Sequence, residues 1–210
     1  MSELTLVIGN KNYSSWSLRA WLLLKQTGIP FKEIKLKLHV EPSDVPKYSP
    51  SGKVPVLIDG NIKIWESLAI AEYLAEKFPE KKLWPADANA RAFARSVCSE
   101  MHAGFIKLRK NMPMDCRVDA PGKGMAEGVQ DDINRICAIW NEARTKFGKS
   151  GPFLFNHFTI ADAMFAPVVI RFKGYHVKTD SVASNYMKTI FSLPAMQEWI
   201  SAGVAETEVI

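Results

Sequence analysis

Val54-Pro55-Val56-Leu57-Ile58-Asp59-Gly60-Asn61-Ile62-Lys63-Ile64-Trp65-Glu66-Ser67-Leu68 is the stretch on which the fold turns. Two apolar runs, 54–58 and 62–64, flank Asp59-Gly60-Asn61, which is the pattern of a β-hairpin closed at an Asp-Gly turn. A proline inside the first run is tolerated only at a strand's start or edge. Residues 67–78 then place Leu68, Ala71, Leu74 and Ala75 on one helical face and stop at Pro79. Upstream, Leu4-Thr5-Leu6-Val7-Ile8 reads as a short strand closed by Gly9-Asn10. The apolar run 18–24 is entered through serines and left through Gly28-Ile29-Pro30, the expected ends of a helix. Over 31–38, Ile34, Leu36 and Leu38 recur at every second position, the period of a half-buried strand. The order is β-α-β, a Pro- and Ser-rich stretch, then β-β-α.

Beyond residue 86 the strand signals nearly vanish, and helical periodicity runs through 86–111, 126–147, 159–173 and about 181–202. The expected organisation is an α/β domain over 1–80, a linker at 81–85 (Lys-Lys-Leu-Trp-Pro), and an all-helical domain over 86–210. With 210 residues, 47% hydrophobic and 23% charged, the composition is that of a folded globular chain. The longest wholly apolar stretch, 164–170, falls far short of the ~18 residues of a membrane span. No secretory signal is read at Met1-Ser2-Glu3.

The net charge of +5 divides into +1 over 1–80 and +4 over 81–210, with no basic stripe interleaved with aromatics. Nucleic-acid binding is therefore unsupported, and a mild bias toward anionic ligands is what remains. Cys98, Cys116 and Cys137 are odd in number and form no CxxC, and the four histidines form no HxxxH pair. That usage suits a reducing compartment better than a disulfide frame or a metal site. Pro121-Gly122-Lys123-Gly124 lacks the preceding strand and the GK[ST] ending of a phosphate loop and reads as an interhelical loop.

Four local features carry chemistry or its structural alternative. Tyr13-Ser14-Ser15-Trp16-Ser17-Leu18-Arg19 lies at a strand-to-helix junction, where free N–H groups and the helix dipole favour an anion. The alternative there is one capping serine and two solvated ones. Lys53-Val54-Pro55 would turn the Val54 backbone outward if its X-Pro bond were cis. Glu66-Ser67 either caps the second helix or binds the charged end of an amino-acid-like ligand. Thr159-Ile160-Ala161-Asp162 has capping-box spacing, with Phe158 placed to staple the turn that follows.

Taken in order, Ser14-Ser15-Trp16-Ser17-Leu18-Arg19, Val54-Pro55, 66–74 (Glu-Ser-Leu-Ala-Ile-Ala-Glu-Tyr-Leu) and Thr159-Ile160-Ala161-Asp162 resemble the landmarks of the cytosolic glutathione transferase superfamily. The resemblance covers essentially the whole chain and implies a thioredoxin-like N-terminal domain with an all-α C-terminal domain. Among the classes it is most similar to the serine-type ones, to zeta (maleylacetoacetate isomerase-like) or to a related bacterial class. Trp16 stands where zeta members usually carry a cysteine.

The resemblance implies glutathione as co-substrate, no metal, a cytoplasmic homodimer, a detoxification-type conjugation, and no nucleic-acid or membrane partner. Ser14 would donate to the glutathione sulfur, with Ser15 beside it and Tyr13 as an alternative donor; Ser17 would point away. Val54, held by a cis Pro55, would pair its backbone with the cysteinyl part, and Glu66 and Ser67 would hold the γ-glutamyl end. A residue at or near His39 would meet the glycine carboxylate, and Lys53 would be a further glutathione-binding residue. Lys107, Arg109 and Asn111 would line the electrophile site, with His102 a further candidate. Two other readings stay open: a zeta-like cis–trans isomerase and a noncatalytic binding module of the same fold. Because no cysteine occupies the helix start, thiol-exchange chemistry by the protein itself is disfavoured.

Overall fold

In the computed structural model, residues 3–38 and 42–209 are described. Strand β1 (Leu4–Ile8) is followed by α1 (Ser15–Gln26) and β2 (Lys32–Lys35), with β2 parallel to β1. A parallel pair needs such a crossover, and α1 supplies it. A one-turn helix, α2 (Val45–Tyr48), precedes the hairpin β3 (Val56–Asp59) and β4 (Ile62–Trp65), and α3 (Ser67–Lys77) follows. The sheet order is β2-β1-β3-β4, with β1/β3 and β3/β4 antiparallel. Gly60, at φ +58°, takes the first position of the two-residue hairpin loop, a conformation that glycine adopts without steric cost.

Alternation along β1 sends Leu4, Leu6 and Ile8 into the main core and Val7 into a smaller cluster with Leu36, Val45 and Val56. Helices α1 and α3 cover the first face, and the α2 segment covers the second. The strand expected over 31–38 pairs only over 32–35 and forms one sheet edge, where Lys32, Glu33 and Lys35 are exposed.

The helical half comprises α4 (Ala88–Ala103), α5 (Ile106–Asn111), α6 (Val129–Lys146), α7 (Ile160–Gly174), α8 (Ser181–Ser192) and α9 (Pro194–Val204). Two expected helices are each divided. The first breaks at Gly104-Phe105, where Phe105 takes a left-handed φ of +58° and a Cβ at position 104 would sit 2.7 Å from the Glu100 carbonyl oxygen. The second breaks at Leu193, held extended by Pro194.

Helix α7 is buried on every side but Lys173 and packs against both α1 and α4, joining the two halves of the chain. Its start is fixed by Asp162, whose Oδ2 accepts the Thr159 N–H at 2.8 Å and hydroxyl at 3.1 Å, as the capping-box spacing predicts. Phe158 meets Phe153 edge-on at 5.7 Å, so its aromatic contact is with the loop before the helix. The segment at 81–85 docks rather than dangles: the Leu83 carbonyl accepts from Ile160 N at 3.0 Å, and Trp84 Nε1 donates to Glu72 at 2.9 Å.

Candidate functional site

Ser14 occupies the N-cap position of α1 but does not cap it. Its hydroxyl donates instead to Ser17 Oγ at 2.7 Å, and Ser17 Oγ also accepts the Gly9 N–H at 3.1 Å. Ser17, expected to point away, is fully buried and turned toward Ser14, because one helical turn places position 17 beneath position 14. Ser14 is itself 7% exposed. With no side-chain cap, the first-turn N–H groups of Trp16 and Ser17 meet no protein acceptor among the described residues.

Two neighbouring cavities open beside this helix start. One, of about 290 Å³, is lined by Trp16, Ser51, Lys53, Val54, Pro55, Glu66 and Arg109. The other, of about 530 Å³, is lined by Ser15, Trp16, His102 and Arg109, together with Ala103, Ile106, Lys110 and Arg171. Trp16 and Arg109 line both. The Val54–Pro55 bond is cis, and the Val54 N–H and C=O have no partner among the described residues.

Glu66 is the residue before α3, at φ +69°, and its carboxylate lies 3.6 Å from His102 Nε2 across the cleft. His102 meets Trp16 edge-on at 5.1 Å. Burial holds its imidazole below the ordinary pKa, with Arg19 adding to that effect and Glu66 opposing it.

The expected residues do not all converge. Ser15, Lys53, Val54, Glu66 and Arg109 line the two cavities, whereas Ser14 lines neither and lies buried at the start of α1, next to Ser15. Ser67 is the first residue of α3 rather than its cap, is 1% exposed, and points its hydroxyl at Met164 Sδ, 4.0 Å away. Lys107 and Asn111 line neither cavity: α5 is a separate six-residue helix, and the Asn111 amide folds back to donate to the Lys107 carbonyl at 2.8 Å. The Tyr13 hydroxyl accepts from Arg117 and also lines neither cavity. His39 lies outside the described residues.

Residues that sequence reasoning passed over are Ser51 at the first cavity and Ala103, Ile106, Lys110 and Arg171 at the second. Only Arg171 carried a signal, as a buried charge that follows the long apolar run 163–170 of its helix.

The protein's own thiols are poorly suited to chemistry. Burial pushes Cys116 up to about 12 and Cys137 up to about 11, and holds fully buried Cys98 well above its ordinary value. Among the described residues no group of three or more His, Cys, Asp or Glu is placed to hold a metal, and no helix is long and apolar enough to cross a membrane. A larger cavity, about 680 Å³, opens between the 115–119 loop, the end of α7 and α8, and contains none of the expected site residues.

Comparison with known proteins bears on this arrangement. Residues 13–77 match the glutathione S-transferase N-terminal domain and residues 119–202 the glutathione S-transferase C-terminal domain. A stringent starvation protein A homolog of Coxiella burnetii is 25% identical over 211 residues, covering 99% of this chain and 94% of its own length. A probable maleylacetoacetate isomerase of Caenorhabditis elegans is 39% identical over 95 residues, 45% of this chain and 44% of its own length. A crystal structure of a Burkholderia glutathione transferase homolog with bound glutathione superposes with a TM-score of 0.73 at 22% identity, covering 98% of this chain and 100% of that one, which shows the shared fold. With a thioredoxin-like sheet, a helical second half and both family domains matched in order, this chain belongs to the glutathione S-transferase superfamily.

Proposed function

We propose that this protein is a glutathione transferase that, of the two neighbouring cavities at the start of α1, binds glutathione in the smaller, of about 290 Å³, and presents its sulfur to an electrophile in the larger, of about 530 Å³. The observation that carries the reading is the juxtaposition at the start of α1: a cis-Pro backbone edge at Val54 and the Glu66 carboxylate line one cavity, Ser15 lines its neighbour, Trp16 and Arg109 line both, and the Ser14 hydroxyl sits buried at the same helix start. The Val54 N–H and C=O match an extended peptide backbone, and Glu66 matches the γ-glutamyl ammonium. The uncapped N–H groups at the helix start favour negative charge on the sulfur.

Ser14 is the thiolate donor in this reading. Its present partner, Ser17, does not block that role. When the Ser14 proton swings toward sulfur, the Ser17 hydroxyl can donate to Ser14 Oγ across the same 2.7 Å, while Gly9 N–H continues to feed Ser17. The thiol proton leaves to solvent, the thiolate pair forms a sulfur–carbon bond, and the leaving group departs with its own electron pair. If the substrate has no leaving group, the same bond breaks again after rotation, which is the zeta-like isomerase outcome. The exposed Ile62 and Trp65 on edge strand β4 offer apolar area for the cytoplasmic homodimer that the reading includes.

The test is retention of the full chain on immobilised glutathione, followed by ultraviolet titration of the bound thiol. Retention with a thiol pKa about two units below ~8.5 supports the proposal. Retention with an unshifted thiol refutes it in favour of a noncatalytic binding module.

A further inference from the structure

Around Trp16 the protein gathers positive charge without counter-charge. The Arg19 guanidinium lies 4.2 Å from the indole centroid, and that of Arg109 lies 4.5 Å from it. Arg19 is 3% exposed, and its Nε and Nη1 meet no acceptor among the described residues. Arg171, 5% exposed, reaches the larger cavity from α7 while donating to the Met112 and Pro167 carbonyls. Arg109 donates to the His102 and Gly104 carbonyls, and Lys110 stands on the cavity rim. Among the described residues none of these four cations pairs with a carboxylate; Glu66, the acid facing this side of the cleft, is turned to His102.

Neutral carbonyls satisfy hydrogen-bond geometry but leave the charge in place, and a buried guanidinium without an anion is an unfavourable arrangement. Burial, with repulsion from Arg109 and Arg171 added to it, lowers Arg19 to about 9. Arg171 is lowered to about 10 by burial and then by Arg109. The indole face offsets part of this charge but offers no acceptor to the orphan N–H groups. An anion in the larger cavity would meet Arg109 and Arg171, which line it, and by offsetting their charge would ease the repulsion they exert on Arg19 behind it.

We infer that the larger cavity is an anion site that selects electrophiles bearing a carboxylate, with Arg109 and Arg171 as its direct partners. Ile106, Ala103 and the Trp16 ring supply an apolar wall for the body of such a molecule. The word electrophile rests on the transferase reading; the anion site does not.

Calorimetric titration of the full chain with 3,5-dinitrobenzoate and with 3,5-dinitrobenzamide tests it, since the two share a ring and neither carries a leaving group. The benzoate is expected to bind at least about tenfold more tightly, and Arg109→Gln should bring the ratio of the two affinities close to one. Equal affinities, no measurable binding of either probe, or a ratio unchanged in Arg109→Gln overturns the inference. Lys110→Gln, on the exposed rim, is the second arm should Arg109→Gln not fold; it should lower the same ratio about twofold to threefold, and an unchanged ratio there counts against the site.

Repeating the titration with saturating S-methylglutathione separates the occupants. If the benzoate's advantage disappears, the arginines serve glutathione's own carboxylates and the inference fails. A chain that prefers the benzoate but fails the thiol titration refutes the transferase reading and leaves the anion site standing.

Discussion

Replacing Ser14 with alanine isolates the step on which the transferase reading depends. The substitution removes one hydroxyl from a site that is 7% exposed and leaves Ser17 with its Gly9 N–H partner, so the start of α1 keeps its local support. A hydrogen bond to a charged acceptor contributes about 1.5–3 kcal/mol, which corresponds to about 1.1–2.2 pKa units on the bound thiol. The helix start adds about 0.3–2 kcal/mol and is untouched by the substitution. If both act in the wild type, a thiol near ~8.5 in water is held near ~6.5, and the alanine variant, which keeps at least about 0.2 unit from the helix start, should titrate at about 7.6–8.3.

At pH 6.5 the thiolate fraction then falls from about one half to between about 7% and about 2%, a loss of roughly sevenfold to thirtyfold in conjugation rate at saturating glutathione. At pH 9.5 both proteins carry mostly thiolate, and their rates should converge to within about twofold. The assay is the pH profile of conjugation of a chloronitrobenzene, read by absorbance, alongside ultraviolet titration of the bound thiol. A variant whose profile overlays the wild type removes Ser14 from its role. A uniform loss at every pH would also refute the reasoning, because it would mean that alignment rather than ionisation was lost.

Two further outcomes follow from the packing. Glu206→Ala should lower stability by about 3 kcal/mol or more in urea unfolding: the buried carboxylate accepts Lys11 N at 2.9 Å and Asn12 N at 3.0 Å and pairs with Lys35 at 2.9 Å, and its loss strands two amides in the loop that leads to Ser14. An effect below about 1 kcal/mol would show that the C-terminal segment does not brace that loop.

Asp162 is raised by burial from 3.8 to about 6 despite its hydrogen bonds, so the native state binds more protons than the unfolded chain over that window, and the contribution of Asp162 to stability falls as pH rises through it. Asp162→Asn, which presents an N–H₂ where Thr159 and Leu154 amides need acceptors, should therefore cost more at pH 4.5 than at pH 7 in parallel urea titrations. A penalty that grows toward pH 7 would contradict the raised value.

Much of this molecule is written locally. The hairpin around Gly60 needs two apolar runs and a residue free to take positive φ, all within ten positions. The Thr159–Asp162 box needs only a spacing of three, and the helical stripes need only their period. Such features close their hydrogen bonds within a turn or across adjacent strands, so composition and order suffice to read them. The placement of Val54 and Glu66 at one cavity follows from the same hairpin, which brings its two ends together.

Side-chain direction is another matter, because it is decided by what packs against each face. Whether Lys107 or Lys110 faces the cleft depends on the break at Phe105, and Ser67 turns inward because Met164 lies above it. Arg19 and Arg171 are separated by most of the chain and meet only because α7 packs across α1, as Glu206 reaches Lys11 only when α9 is already docked. The sequence by itself determined which elements form and the family to which they belong. The tertiary structure alone decided which charges are left facing one another, because repulsion and burial are properties of distance in space, and no local pattern encodes that distance.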